Sequence, residues 1–220
     1  GFRIEKEIDI CSVDLQLDLS MMKRMMDNIC SNIQKYARKE QPIYFPNTQI
    51  IHIPIPCGNK EEMNQRILEN KVRKRDGTLF MEDAYIRFIA NNTEDIGDVF
   101  RILLDKKNYP ILISGELGKD RVGLFISLLF SMLDIPQESI TQEYMSSNRY
   151  IDPSFMAKTV SALSTDAQET MTVLLSVNES FLNIAYREIE NRYGSFDNYR
   201  ETELKISGKN RDRLKDLLLK

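Results

Sequence analysis

Apolar side chains occupy every second position along Val13–Leu19, and a looser alternation extends back to residue 2. A period of two is typical of half-buried strands, so the pattern predicts one or two strands between residues 2 and 19. From Ser20 onward the period changes, because four methionines and two isoleucines recur at helical spacing. We therefore predict that Ser20 caps a helix of about 19 residues whose apolar stripe packs into the core.

Two short segments predict further strands, and most of the remaining chain predicts helices. A β-branched run from Gln49 is cut by prolines and predicts a strand that ends at Pro54. Ile111–Ile113 is fully apolar, which is typical of a strand at the centre of a sheet covered on both faces. Asp76–Gly77 predicts a turn.

Helices are predicted over residues 59–75, 80–91, 93–107, 122–133, 136–146, 153–162, 164–175, 178–193 and 210–219. A few strands followed by many helices predict an α/β fold with a small central sheet.

Length and composition are those of a globular protein. The 220 residues fit a single domain, which we divide into a divergent N-terminal strand and helix (1–48), a central part with strand, helices and loop (49–135) and a helical C-terminal part (136–220). Hydrophobic residues make up 42% and charged residues 29%, which excludes a disordered chain. The net charge of -3 argues against a general nucleic-acid binder. No apolar run approaches the roughly 20 residues of a membrane-spanning helix.

The cysteines and the histidine predict no metal site. Cys11, Cys30 and Cys57 have no CxxC spacing, and His52 is the single histidine. We interpret the cysteines as small buried hydrophobes and His52 as a strand residue with a hydrogen-bond partner. No metal and no cofactor are therefore expected.

One loop carries candidate chemistry. A polar stretch with two glycines, Ser114–Asp120, lies between the apolar segment that ends at Ile113 and a helix that begins near Arg121. Glycines permit a compact turn whose amide groups point inward, and the helix adds the positive end of its dipole. Arg121 would add a planar fork that matches two oxygens of a phosphate. The loop is therefore a candidate anion site, with a simple glycine-rich turn as the alternative, since the nucleotide-binding pattern GxxxxGK[ST] is absent.

A resemblance supports the anion site. Gly118–Gly123 reads GKDRVG and resembles the GKDRTG half of the HCxxGKDRTG loop of a bacterial and fungal tyrosine-phosphatase-like family, which contains protein-tyrosine and phosphoinositide phosphatases. Met81–Phe88 before the loop and Ile189–Tyr199 after it are similar to other segments of that family. The likeness covers residues 49 to 219 and implies a protein-tyrosine-phosphatase-like fold with a mainly parallel sheet flanked by many helices.

The sequence departs from this motif at the nucleophile. Gly115 occupies the position of the cysteine, Ser114 that of the preceding histidine and Val122 that of the threonine. A thiolate attacks phosphorus in such phosphatases, and glycine has no side chain that could do so. The resemblance implies acid–base work for Asp120 and phosphate or transition-state binding for Arg121. The implied phosphate-binding loop comprises Ser114, Gly115, Glu116, Leu117, Gly118, Lys119, Asp120 and Arg121.

These residues favour a pseudophosphatase that binds phosphate, a phosphorylated protein or an inositol lipid without hydrolysing it. We expect it to be inactive as a thiol phosphatase, and an inward-pointing Glu116 carboxylate would weaken its binding of dianions. One alternative is a phosphomonoester hydrolase, acting on protein tyrosine or phosphoinositides, whose nucleophile at position 115 was altered or is supplied by another residue. A second alternative is a scaffold that binds no phosphate. The family contains secreted and cytoplasmic proteins, so the sequence leaves the compartment open.

Overall fold

The computed structural model describes residues 48–56, 58–73, 75–115, 117–150 and 163–219. Ile50–Leu217 forms a compact unit. Several predictions lie outside the described residues: the strands between residues 2 and 19, the methionine-rich helix after Ser20, and the helix over 153–162. The three cysteines and Glu116 lie outside them as well.

Helices dominate the described residues. In chain order they are α1 (Lys60–Leu68), α2 (Asp76–Asn91), α3 (Thr93–Leu103), α4 (Arg121–Met132), α5 (Gln137–Ser146), α6 (Thr165–Leu175), α7 (Glu179–Tyr193) and α8 (Gly208–Leu218). Short 3-10 turns cover Lys106–Asn108 and Ser147–Tyr150, and the turn Phe196–Asn198 continues into a π-helical turn at Tyr199–Glu203. The helices predicted over 122–133, 136–146, 164–175, 178–193 and 210–219 are confirmed to within two residues.

Side-chain caps explain where several helices begin. The side chain of Asn59 accepts a hydrogen bond from the Glu62 amide at the start of α1. Ser164 caps α6 and Asn178 caps α7 in the same way. Because such caps satisfy amides that the first helical turn leaves unpaired, these polar residues fix the starting points of the helices.

The core lies around α2, which packs against α6 and α7. Tyr85 of α2 contacts Phe181 of α7, with ring centroids 5.7 Å apart. Phe100 of α3 packs on Phe125 of α4 at 4.8 Å. These buried aromatic pairs join α2 to α7 and α3 to α4, the helix that follows the candidate loop.

The predicted α/β fold, with its small, mainly parallel central sheet, is wrong for the described residues, because none of them forms a strand. The segments over 50–56 and 111–115 have no regular secondary structure, and within the described part of the chain no backbone hydrogen bond joins them. Ile50 is 87% exposed and Leu112 is 47% exposed, so neither segment is the buried centre of a sheet. β-branched composition favours a strand only where a partner completes the ladder and covers the side chains.

Three helix boundaries also differ from the prediction. Helix α1 ends at Leu68 rather than residue 75, and the predicted turn Asp76–Gly77 forms the first turn of α2. The Asp76 carboxylate pairs with the Arg66 guanidinium, and a carboxylate is favourable at a helix N-terminus. Helix α3 ends at Leu103, short of the predicted residue 107.

Candidate functional site

The loop before α4 adopts a conformation that requires glycine at one position. Gly118 has a φ of 70°, in the left-handed region that glycine enters without steric cost. No heavy atom would lie within 4 Å of a Cβ at this position, so the requirement comes from the backbone and not from crowding. The chain then enters α4 at Arg121, where the Asp120 carbonyl accepts a hydrogen bond from the Leu124 amide at 2.8 Å.

The Asp120 carboxylate is turned toward the protein interior. Asp120 immediately precedes α4, yet its side chain accepts no cap hydrogen bond from the helix amides. Instead, Lys119 Nζ donates to both carboxylate oxygens at 2.7 Å, and the Tyr85 hydroxyl donates to Oδ1 at 2.9 Å. The side chain of Asp120 is 25% exposed. Its negative charge is therefore balanced within the protein.

Lys119 is a buried cation. Its side chain is 2% exposed, and Nζ also donates to the Ser176 carbonyl at 3.1 Å. Burial lowers the pKa of Lys119, and the nearby charge of Lys60 lowers it further, whereas Asp120 acts in the opposite direction. Lys119 thus ties the loop to the segment before α7 and neutralises Asp120.

Two buried tyrosines extend this network. The hydroxyls of Tyr85 and Tyr144 lie 2.7 Å apart, which connects α2 with α5. Burial raises the pKa of Tyr85 well above its usual value, and the Asp120 charge raises it further. The pKa of Tyr144 is raised by burial as well. Both hydroxyls therefore stay protonated. Tyr85 donates its one hydroxyl hydrogen to Asp120, so its oxygen accepts from the Tyr144 hydroxyl.

The Arg121 guanidinium is anchored by the main chain of a distant segment. Arg121 Nη1 donates to the Ile55 carbonyl at 3.2 Å. Among the described residues no carboxylate forms an ion pair with Arg121, in contrast to Lys119. Within the described part of the chain, the guanidinium is therefore held by a neutral acceptor and not by a carboxylate.

Arg121 lines two adjoining hollows. The first is lined by Lys60, Gly115, Leu117, Gly118, Asp120, Arg121 and Val122. The second has a mainly apolar wall formed by Lys60, Phe80, Met81, Ala84, Tyr85, Asp120, Arg121 and Leu124. Lys60, Asp120 and Arg121 belong to both, so these three side chains separate a polar hollow from an apolar one.

The structure brings five of the eight sequence-predicted loop residues to the polar hollow: Gly115, Leu117, Gly118, Asp120 and Arg121. Lys119 lies beneath the loop in its ion pair with Asp120. Ser114 is exposed and belongs to the lining of neither hollow. Glu116 lies outside the described residues, so its predicted repulsion of dianions stays a prediction.

Position 115 could carry a side chain. A Cβ at Gly115 would meet Val122 Cγ2 at 3.3 Å, and no other heavy atom of the described residues outside its chain neighbours lies within 4 Å. The φ of Gly115 is not positive, so other residues could adopt its backbone conformation. As it stands, Gly115 contributes only backbone atoms to the hollow.

Four contributors to the site are not predicted from the sequence. The pattern around Lys60 indicates only a charged helix, and Ile55 contributes only a carbonyl, for which no side-chain signal exists. Tyr85 lies within Met81–Phe88, whose resemblance to the family is the one available signal. Tyr144 gives no signal, because its role depends on the packing of α5 against α4.

The described residues hold no cluster of three or more histidine, cysteine, aspartate or glutamate side chains that could bind a metal ion. A search of the same residues finds no helix with the length and apolarity required to cross a membrane.

Comparison with known proteins gives two matches. The sequence model of the tyrosine phosphatase family matches residues 29–220. A protein of Cupriavidus necator that is named as a tyrosine-protein phosphatase is 30% identical over 130 residues, which cover 58% of this chain and 46% of the relative. The chain thus spans about half the length of this curated relative.

Proposed function

Because the chain belongs to the tyrosine phosphatase family, we propose that it binds a phosphate group in the polar hollow beside Arg121 and does not hydrolyse it. The ligand is phosphate itself or a phosphorylated protein or inositol lipid. The observation that carries this proposal is the Arg121 guanidinium, which lines the hollow while a neutral main-chain carbonyl at Ile55 holds one of its nitrogens.

The charges around the hollow favour a bound anion. Among the described residues, Arg121 and Lys60 bring two cations to the lining, and the carboxylate of Asp120 there is paired with Lys119. A guanidinium offers five N–H donors in a plane, so one edge can bind two oxygens of a tetrahedral anion while Nη1 keeps its carbonyl partner. The start of α4, which lacks a cap from Asp120, adds the positive end of a helix dipole.

The absence of hydrolysis follows from Gly115. In the family motif the cysteine at this position attacks phosphorus and forms a phosphocysteine, which glycine cannot do. Asp120, the family acid–base position, is engaged by Lys119 and Tyr85. An acid without a nucleophile gives little acceleration, so binding without turnover is the function that these residues support.

A second candidate is a phosphomonoester hydrolase in which another residue supplies the nucleophile, or in which Gly115 replaces a cysteine. The backbone at Gly115 favours this candidate, because its φ and its single close contact, with Val122, would allow a cysteine there. Gly115→Cys separates the possibilities. Hydrolysis of p-nitrophenyl phosphate by this variant would mean that the rest of the catalytic geometry is intact.

Heat unfolding in the presence of oxyanions tests the binding proposal. Tungstate or phosphate at ten times its Kd should stabilise the native chain by about 1.4 kcal/mol and raise Tm by about 3 to 5 °C. Arg121→Met should abolish this shift. Arg213→Met is the matched control, because Arg213 also donates to a main-chain carbonyl, that of Leu104, but lies on α8 away from the hollow.

Two outcomes would contradict the proposal. If no oxyanion raises Tm, the chain is a scaffold and not a phosphate-binding protein. If the native chain hydrolyses p-nitrophenyl phosphate and Arg121→Met abolishes the hydrolysis, the chain is an enzyme and the first candidate fails.

A further inference from the structure

The polar hollow is bordered by a second segment in addition to the loop before α4. Ile55 provides the carbonyl that anchors Arg121, and five residues later Lys60 lines both hollows. From these positions we infer that Lys60 is a second phosphate-binding cation of this site and adds selectivity for doubly charged anions. This inference rests on the proposed function and extends it to a residue outside the loop.

The chain between these two residues is shaped to bring Lys60 to the site. Gly58 has a φ of 73°, and a Cβ there would lie 3.0 Å from the ring of Phe80. Glycine is therefore required both by the backbone and by the close approach of the aromatic ring. Since Phe80 lines the apolar hollow, this contact fixes the turn against the wall of the site.

Helix α1 then holds Lys60 at the edge of the hollow. The Asn59 side chain accepts a hydrogen bond from the Glu62 amide at 3.2 Å and donates to the Glu62 carboxylate at 3.2 Å. This reciprocal cap places Lys60 at the first residue of the helix. The orientation of the helix start, and with it the origin of the lysine side chain, is therefore fixed by local hydrogen bonds.

The position of Lys60 is unfavourable for the helix itself. A cation in the first turn opposes the helix dipole, which favours acidic residues such as Glu61 and Glu62 at that end. The charge of Lys60 also lowers the pKa of Lys119, so it makes the protonated form of this buried lysine less favourable. An anion bound between Lys60 and Arg121, which line the same hollow, would offset both effects.

Arg121 and Lys60 would contribute differently to binding. Arg121 is anchored at one nitrogen and presents a planar donor set with fixed geometry. Lys60 carries a compact charge on a flexible stem, so its contribution is mainly Coulombic. A Coulombic contribution scales with the charge of the anion, whereas a purely geometric one does not.

Tungstate and perrhenate provide the test, because both are tetrahedral oxyanions of similar size but carry two and one negative charges. We expect Lys60→Met to weaken tungstate binding about tenfold and perrhenate binding about threefold. Perrhenate carries half the charge of tungstate, so it loses half as much Coulombic energy. Half the energy corresponds to the square root of the tenfold loss expected for tungstate. Dissociation constants are measured by calorimetric titration of the full chain. Lys60→Arg should restore most of the affinity for tungstate.

Lys209→Met is the matched control. Lys209 is exposed near the start of α8, and neighbouring Arg211 binds the Met132 carbonyl at the far end of α4. This variant removes the same charge from the protein and should leave both dissociation constants unchanged. Lys60→Gln serves as a second neutral variant if Lys60→Met does not fold.

The outcomes separate this inference from the proposed function. If Arg121→Met abolishes tungstate binding while neutral variants of Lys60 bind both anions like the native chain, the inference fails and the proposed function stands. An equal loss for tungstate and perrhenate would also overturn it, because it would indicate a structural effect on the site. If the native chain binds neither anion, both fail.

Discussion

The two ends of α4 use the same types of charged residue in opposite ways. At the C-terminal end, Arg211 donates to the Met132 carbonyl at 2.9 Å, and Arg211 and Lys215 both pair with Asp134. At the N-terminal end, the carboxylate of Asp120 is turned inward to Lys119, and Arg121 lines a hollow.

The difference separates charges that stabilise the fold from charges available to a ligand. Cations near Met132 meet the negative end of the helix dipole and the unpaired carbonyls of the last turn, so their position is explained by the fold. At the other end, one carboxylate is neutralised by a buried lysine while the cations of the hollow lining face the positive end of the same dipole. An anion bound in the hollow would interact favourably with these cations and with the helix dipole.

Removing the inward carboxylate should have the largest effect on stability. We expect Asp120→Asn to destabilise the fold by about 2 kcal/mol, because the buried ammonium of Lys119 loses its charged partner. Urea unfolding measures the change. A double variant, Asp120→Asn with Lys119→Met, should recover most of the loss, since it leaves no unpaired buried charge.

The pH dependence of unfolding provides a second test of the ion pair between Lys119 and Asp120. Burial already lowers the pKa of Lys119, so the folded state releases this proton more easily than the unfolded state, whose pKa is near 10.5. At a pH below both pKa values, Lys119 is protonated in both states, and its buried charge lowers the free energy of unfolding. The free energy of unfolding then increases as the pH rises toward 10.5. The deficit of Asp120→Asn should therefore shrink with rising pH, and a constant deficit would contradict the ion-pair explanation.

Two glycines of the loop should differ in their tolerance of alanine. Gly118→Ala should cost about 1 to 2 kcal/mol, because a Cβ at a φ of 70° is strained even in open space. Gly115→Ala should cost less than about 0.5 kcal/mol, since among the described residues a Cβ there meets only the methyl group of Val122, at 3.3 Å. Thermal unfolding compares the two. An equal cost would mean that Gly115 is also held in a special conformation.

The smallest effect is expected at the opposite end of the helix. Asp134→Asn should destabilise the fold by about 0.5 kcal/mol, because the Asp134 side chain is 58% exposed and its ion pairs with Lys215 and Arg211 are screened by solvent. A hydrogen bond from Lys215 and the charge of Arg211 lower the pKa of Asp134 below 3.8. Its contribution is therefore present above 3.8 and lost as pH falls through the folded-state value.

Unfolding in urea across that pH range, with and without 1 M salt, checks this last prediction. The native chain and the variant should become equally stable at low pH, and salt should narrow the difference at neutral pH. A loss as large as that of Asp120→Asn would remove the distinction between the two ends of α4.

Helices are more predictable from this sequence than strands, for a physical reason. A helix such as α7 satisfies its backbone within itself, so its apolar period and the cap at Asn178 suffice to place it. A strand at Ile111–Ile113 would need a hydrogen-bonded neighbour from elsewhere in the chain. Its apolar composition predicts burial in a sheet, whereas Leu112 is nearly half exposed.

The site is predictable where one local sequence determines it. Gly115, Gly118 and Arg121 lie within one short loop, and all three line the polar hollow. The partners that orient the charges come from far along the chain: Tyr85 on α2, and Lys60 on α1. Their roles depend on how helices pack, which a pattern of residue types does not encode.

Because Arg121 donates to the main-chain carbonyl of Ile55, the orientation of its guanidinium does not depend on the side chain at position 55. Every residue type at position 55 carries the same main-chain oxygen, so point substitutions there leave the acceptor in place. Only a change in the path of the backbone, such as a deletion between residues 50 and 58, would withdraw it. Related sequences can therefore vary at residue 55 while keeping the same orientation of the arginine.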